Sequence, residues 1–224
     1  VFTYWDDDDL DVIGPQVDAA RAIFPDYFVV TRKVARALLS ERSPQYLEAF
    51  DRIAIAACRS DIARLLALDH RGGLYIDAHC LIDDVSGVMR QMARLEQNDI
   101  VVSTRYAPNY RQIMPHNSIV WSCAGGGVVN QLLDQALANL QRKYTQEQIV
   151  GFEAYHVWDI TGPGVFWRTL FDTASVDGAL LANGIDRVAT VFEASNPITR
   201  HAFMGYREPG RHWSERQASE RLFG

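Results

Sequence analysis

The chain has 224 residues, of which 48% are hydrophobic and 22% charged, so it can bury one sizeable core, and a single domain spanning residues 1–224 is expected. Its net charge of −6 provides no broad cationic surface, which argues against nucleic acid or an anionic membrane as partner. No apolar run approaches the roughly 18 residues of a membrane span, and the three cysteines, Cys58, Cys80 and Cys123, lack CxxC spacing, which fits buried thiols in a reducing compartment better than a disulfide framework.

In chain order, the aromatic and β-branched opening Val1–Trp5 predicts a buried strand, followed by an acidic run, Asp6 to Asp9, that reads as a solvated loop. A second short strand is expected at Tyr27–Thr31. Residues Arg32 to Arg71 are mostly helical in pattern, with an interruption at Ser43-Pro44. Within this stretch, a helix from about Ser60 to Arg71 carries Ile62, Leu65 and Leu66 as an apolar stripe, while Leu68 falls on the side of Asp61 and Arg64. The first two turns therefore have little freely solvated face, and Asp61 with Arg64 is either a partly buried structural ion pair or a pair of groups awaiting a polar ligand. Gly72 suits a left-handed cap after which the chain reverses into a strand, Leu74 to Asp77. Asp77 lands at the strand's end, and Asp77 with His79 could reach one divalent cation if the strand has frayed into a turn by Ala78.

Two further strands are expected at Asp99–Thr104 and Ser118–Cys123, with a polar, proline-containing loop between them. The three glycines at 125–127 precede a helix, VVNQLLDQALANLQRKY, whose last turn is basic; a phosphate nest there is the alternative to a plain loop. Thr161-Gly162-Pro163-Gly164 reads as a turn, and Arg187–Glu193 as a late strand before a polar tail. Alternating strands and helices predict an α/β sheet covered on both faces, with ligands at the carboxyl ends of the strands. His70, His116, His156 and His201 have no spacing that marks them.

The run Ser60-Asp61, Arg64, Leu68, Gly72-Gly73, Tyr75, Asp77 resembles the signature of the glycosyltransferase family with a sugar-binding region containing the DXD motif. That family includes mannosyltransferases and some bacterial capsule and toxin glycosyltransferases. Tyr4-Trp5 and His212-Trp213-Ser214 are similar to weaker family elements near the two ends. The resemblance implies the A-type glycosyltransferase fold, a single Rossmann-like nucleotide-diphospho-sugar transferase domain, and retaining transfer from a UDP- or GDP-sugar donor to a glycan or protein acceptor, as in polysaccharide biosynthesis. It also implies a divalent cation, Mn²⁺ or Mg²⁺, at the diphosphate. By the same resemblance Asp61, Arg64 and Asp77 are the catalytic set; Asp61 and Arg64 bind sugar hydroxyls, Asp77 binds ribose and helps hold the metal, Trp5 stacks on the base, and Tyr4, Tyr75 and Trp213 belong to the donor site. The metal set is Asp77, His79 and His212. His79 stands where the family has its second aspartate, and imidazole suits Mn²⁺ better than Mg²⁺. Two other functions compete: a nucleotide-sugar or glycan binding protein of the same fold whose turnover has weakened, and a metal-dependent hydrolase built on Asp77, His79 and His212. The start of the chain has no signal-peptide pattern, which favours a cytoplasmic setting over a secreted effector or a membrane-peripheral protein; the chain begins at Val1 rather than Met, which leaves an upstream segment open.

Overall fold

In the computed structural model of the chain, the described residues are 1–7, 9–109, 111–172, 181–182, 187–202 and 212–224. The chain opens with β1 (Phe2–Trp5), α1 (Gly14–Ile23), β2 (Phe28–Thr31), α2 (Arg32–Arg42), α3 (Leu47–Arg52) and α4 (Ala56–Arg71). There follow β3 (Gly73–Ile76), β4 (Leu81–Ile82), α5 (Val85–Ala93), β5 (Ile100–Ala107), β6 (Gln112–Ser122) and α6 (Gly127–Val150). The last elements are α7 (Val157–Ile160), α8 (Pro163–Leu170), β7 (Phe171–Asp172), β8 (Leu181–Ala182), β9 (Val188–Phe192), β10 (Ile198–Thr199) and α9 (Trp213–Arg216).

Six strands form the main sheet in the order β2-β1-β3-β6-β5-β9. β6 runs against both of its neighbours, and the other pairings are parallel, so five strands end on the same edge of the sheet and β6 begins there. The chain first winds outward from β1 to β2, then returns through α2, α3 and α4 to place β3 on the opposite side of β1. That reversal opens a crevice between the carboxyl ends of β1 and β3, the position at which α/β sheets receive ligands. The mixed α/β sheet expected from the alternation of elements is present, with five parallel strands and one antiparallel one.

Period-two alternation divides the sheet between two cores. Tyr75, Val102 and Val120 face the larger one, built with Ile62, Leu65 and Leu66 of α4 and with Leu132, Leu133 and Leu137 of α6. Leu74, Ile76, Val101, Ile119 and Trp121 face the other, closed by Ile13 and by Val17 of α1 and Val88 of α5. The α4 stripe is therefore buried as its spacing predicts, and so is the rest of the helix from Cys58 to Leu68, apart from the half-buried Ser60. Gly72 caps α4 at φ +64° and ψ −160°, a positive-φ conformation outside the left-handed helical region expected for it. A side chain there would also place its Cβ 2.5 Å from the Ala124 backbone nitrogen, so only glycine lets α4 turn directly into β3.

Several local expectations need correction. The loop expected between the fifth and sixth strands is short, because β5 and β6 pair as a hairpin as far as Ala107 and Gln112, with an irregularity between Val102 and Thr104. Pro115 is tolerated within β6 because it lies beyond the end of β3, where β6 pairs on one side only, with β5. The helix after the triple glycine runs on to Val150, so Arg142 and Lys143 are not in its last turn. Lys143 is instead buried 3.6 Å from the Glu147 carboxylate, which also accepts from the backbone N–H groups of Leu222 and Phe223. The glycines themselves lie at the sheet edge away from the crevice, with the Asp99 side chain beside Gly126 and Gly127, which leaves no anion nest there.

Candidate active site

A cavity of about 840 Å³ fills the crevice, and all nine residues expected to form the donor and metal sites line it: Tyr4, Trp5, Asp61, Arg64, Tyr75, Asp77, His79, His212 and Trp213. They come from β1, α4, β3, the turn after β3, and α9 with its cap. Their convergence follows from topology: β1 and β3 end side by side, and α4 packs across both strands.

The centre of the cavity wall is one continuous polar network. Arg64 is buried, with its guanidinium 3.0 Å from Asp61 and 3.4 Å from Asp77, and it stacks over the Tyr75 ring at 4.5 Å. It also donates to the Ser60 carbonyl and hydroxyl and to the Asn117 carbonyl. The Tyr75 hydroxyl donates to Asp77 at 2.6 Å. Asp61 accepts from the Asn117 amide at 2.8 Å and from the Thr161 hydroxyl at 2.9 Å. The Asp61–Arg64 pair is therefore buried rather than a helix-surface ion pair, and every member is held by at least one other segment of the chain.

Burial pushes the Asp61 carboxyl up to about 6, outweighing Arg64, Thr161 and Asn117, which act in the opposite direction. In the unfolded chain an aspartate titrates near 4. The folded protein thus holds this proton more tightly, and the associated stability, full below about pH 4, is lost as pH rises through about 6. Asp61→Asn retains partners for Asn117 and Thr161 and is expected to remove that loss while abolishing the charge offered to a sugar hydroxyl. Melting temperatures of wild type and variant in steps from pH 4 to 7 check this: their difference should grow in the variant's favour through about pH 6.

Sequence reasoning did not single out Asn117, Arg59, Arg105, Arg200 or His201, and it placed Thr161 in a turn without linking it to Asp61. Asn117 sits in β6 and Thr161 between α7 and α8, and neither has a local pattern that points to the network. Gly162 and Pro163 do border the cavity, together with Trp158. The acidic run is not simply a solvated loop, because Asp6 accepts from the Tyr4 hydroxyl and pairs with the buried guanidinium of Arg59. Asp8 lies outside the described residues. Tyr4 is consequently a buried wall residue whose hydroxyl is already engaged. Trp5 is half-buried, and its indole N–H donates to the Asp9 carbonyl at 3.1 Å.

The turn after β3 brings Asp77 and His79 together as their spacing suggested, with His79 Nε2 3.9 Å from Asp77 Oδ2. The His79 ring stacks on His201 at 4.7 Å, and burial keeps its pKa below the usual histidine range, partly opposed by Asp77. His212 caps α9 and engages Ser214. Asp77, His79 and His212 all line the cavity, and among the described residues no group of three His, Cys, Asp or Glu side chains converges as a metal site.

Residues 8–99 match the family described as glycosyltransferase sugar-binding region containing DXD motif. The matched span includes α4 with Asp61 and Arg64, β3 and the Asp77-Ala78-His79 turn. Among solved structures, the PaToxG glycosyltransferase is similar at 16% identity over 75% of this chain and 65% of its own, with a TM-score of 0.43. The UDP-bound glycosyltransferase domain from the YGT toxin is 14% identical over 66% and 50% of the two chains, with a TM-score of 0.37. The 4-diphosphocytidyl-2C-methyl-D-erythritol synthase from Anaerococcus prevotii DSM 20548 is 11% identical over 90% and 91%, with a TM-score of 0.40. The chain thus spans between half and two thirds of the two toxin glycosyltransferase chains. No curated protein matches it in sequence. No helix among the described residues is long and apolar enough to cross a membrane.

Proposed function

We propose that this chain transfers a hexose from a UDP- or GDP-sugar to a glycan or protein acceptor, with retention of anomeric configuration. The observation that supports this reading most is the interlocked Asp61–Arg64–Tyr75–Asp77 network, which lies inside the matched sugar-binding region and on the wall of the crevice between β1 and β3. A sugar in that crevice meets carboxylates that accept from its hydroxyls and a guanidinium that donates to them, all held in place before the donor arrives. Such preorganisation reduces the reorganisation needed as charge develops on the departing diphosphate. Asn117 and Thr161 have a positioning role, since Asn117 holds Asp61 Oδ1 alongside Arg64 and Thr161 holds Oδ2. Retention is taken from the family resemblance, and the acceptor class from the same source. UDP-sugars are the first donors to test because the YGT toxin domain is described as UDP-bound. Incubation with UDP- and GDP-hexoses and measurement of released nucleotide tests the proposal: turnover of one donor that disappears in Asp61→Asn is expected, and no nucleotide release from any of them contradicts it.

The two tryptophans, Trp5 and Trp213, stand on opposite sequence ends of the same cavity and offer stacking surfaces for the base. Trp5→Ala is expected to weaken nucleotide binding by about 1–3 kcal/mol if its indole carries that stack. Calorimetric titration paired with a melting curve reads both possibilities: a loss confined to folding stability, about 3–5 kcal/mol for a buried core tryptophan, assigns Trp5 to the core instead.

A further inference from the structure

The donor's diphosphate has to be neutralised where it lies, and the DXD pair of the family implies a divalent cation for that task. The described residues do not fit one. Asp77 Oδ1 already accepts from the Tyr75 hydroxyl at 2.6 Å and lies 3.4 Å from Arg64. Its other oxygen is 3.9 Å from His79 Nε2, whereas adjacent donors around a cation bound at about 2.1 Å sit about 3 Å apart. The His79 ring is further committed to its stack with His201.

The same wall is instead rich in arginine. β10 pairs with β4, the short strand that follows the Asp77–His79 turn, and the Ala202 N–H donates to the His79 carbonyl at 2.8 Å. This pairing carries Arg200 and His201 over the turn. Arg105, at the carboxyl end of β5, lines the same part of the cavity and makes no hydrogen bond or ion pair among the described residues. Arg200 pairs with Glu193, whose side chain is nearly half exposed and can yield its place to a phosphate. The buried His116 lines the same cavity as both arginines, and burial, then Arg200 and Arg105, hold its imidazole well below the usual histidine range. Its Nε2 is buried without a hydrogen-bond partner, so a group bearing acceptor oxygens is wanted next to it if it is to donate.

We propose that Arg105 and Arg200 bind the diphosphate of the nucleotide-sugar directly, so that donor binding needs no divalent cation. This rests on the donor reading above and gives that site a different charge-neutralising device from a DXD metal. Guanidinium groups suit the task because their planar forks match phosphate oxygens in pairs.

The test is calorimetric titration of the whole chain with UDP, GDP and uridine, in chelator and in Mn²⁺. The affinity for the nucleotide that binds is expected to agree within about threefold between the two conditions. Arg105→Ala should weaken UDP or GDP binding by about 10-fold, as expected for loss of one charge-assisted contact, with partial recovery in Arg105→Lys and no change for uridine. Arg200→Ala should act in the same direction. Binding that requires Mn²⁺ overturns the inference and leaves the donor reading standing, as does wild-type affinity in both arginine variants. Absence of UDP and GDP binding under both conditions overturns the inference together with the donor reading.

Discussion

Asp77→Asn is expected to lower donor turnover by at least about 100-fold while leaving the fold intact. The fold should survive because the main chain at this position is held independently: its N–H donates to the Ser118 carbonyl at 2.8 Å, and its carbonyl accepts from Cys80 at 2.9 Å. An asparagine can also keep accepting from the Tyr75 hydroxyl. What the substitution removes is the charge that Arg64 faces at 3.4 Å and that a donor group would meet at the mouth of β3. Turnover measured beside a melting curve separates the two effects, and near-normal turnover in a folded variant contradicts the role given to Asp77.

Arg64→Ala is expected to act mainly on stability. It strips the buried Asp61 and the Asn117 carbonyl of a partner and leaves Asp77 without its cation. Breaking a buried ion pair from one side costs about 3–5 kcal/mol, because the remaining charge is left uncompensated. Removing the guanidinium also raises the Asp61 carboxyl further, since Arg64 is the leading influence that lowers it. The loss should therefore be larger at pH 7, where the folded wild-type carboxyl is ionised and paired with Arg64, than at pH 5, where it holds its proton. Urea unfolding at the two pH values measures both the size and the sign. A loss below about 1 kcal/mol at pH 7 means the pair is not the structural centre described. Arg64→Lys should recover part of the stability and little of the forked geometry.

The part of the site legible in the sequence is the part that is contiguous along the chain. Asp61, Arg64, Gly72, Tyr75 and Asp77 follow one another through a helix, a tight reversal and a strand, so periodicity and turn chemistry place them on one side of a cleft. The residues that complete the network come from elsewhere. Asn117 reaches Asp61 because β6 runs antiparallel beside β3, and Thr161 because α7, which it follows, packs against α4. Nothing in the local pattern of either residue encodes those contacts. Arg200 and His201 are set in place by pairing between two strands of two residues each, too short to leave a period. Asp6 looked solvated within an acidic run because its partner, Arg59, is on α4 and the contact exists only once β1 and α4 pack together. Two missed helices had usable signals: Pro15 in the first turn of α1 ahead of Val17 and Ala20, and Val85, Val88 and Met92 at helical spacing in α5.

The central claim is that the crevice between β1 and β3 receives a nucleotide-sugar through the Asp61–Arg64–Asp77 network. Thermal unfolding in the presence of individual UDP- and GDP-sugars tests it most directly, because a ligand that binds the folded state alone raises stability by RT ln(1 + [L]/Kd), about 2.7 kcal/mol at a concentration 100 times Kd. The account predicts that one nucleotide-sugar raises the melting temperature of the wild type, that its free sugar does not, and that the rise is lost in Asp77→Asn and Asp61→Asn. No shift with any nucleotide-sugar, or an equal shift in wild type and both variants, contradicts it.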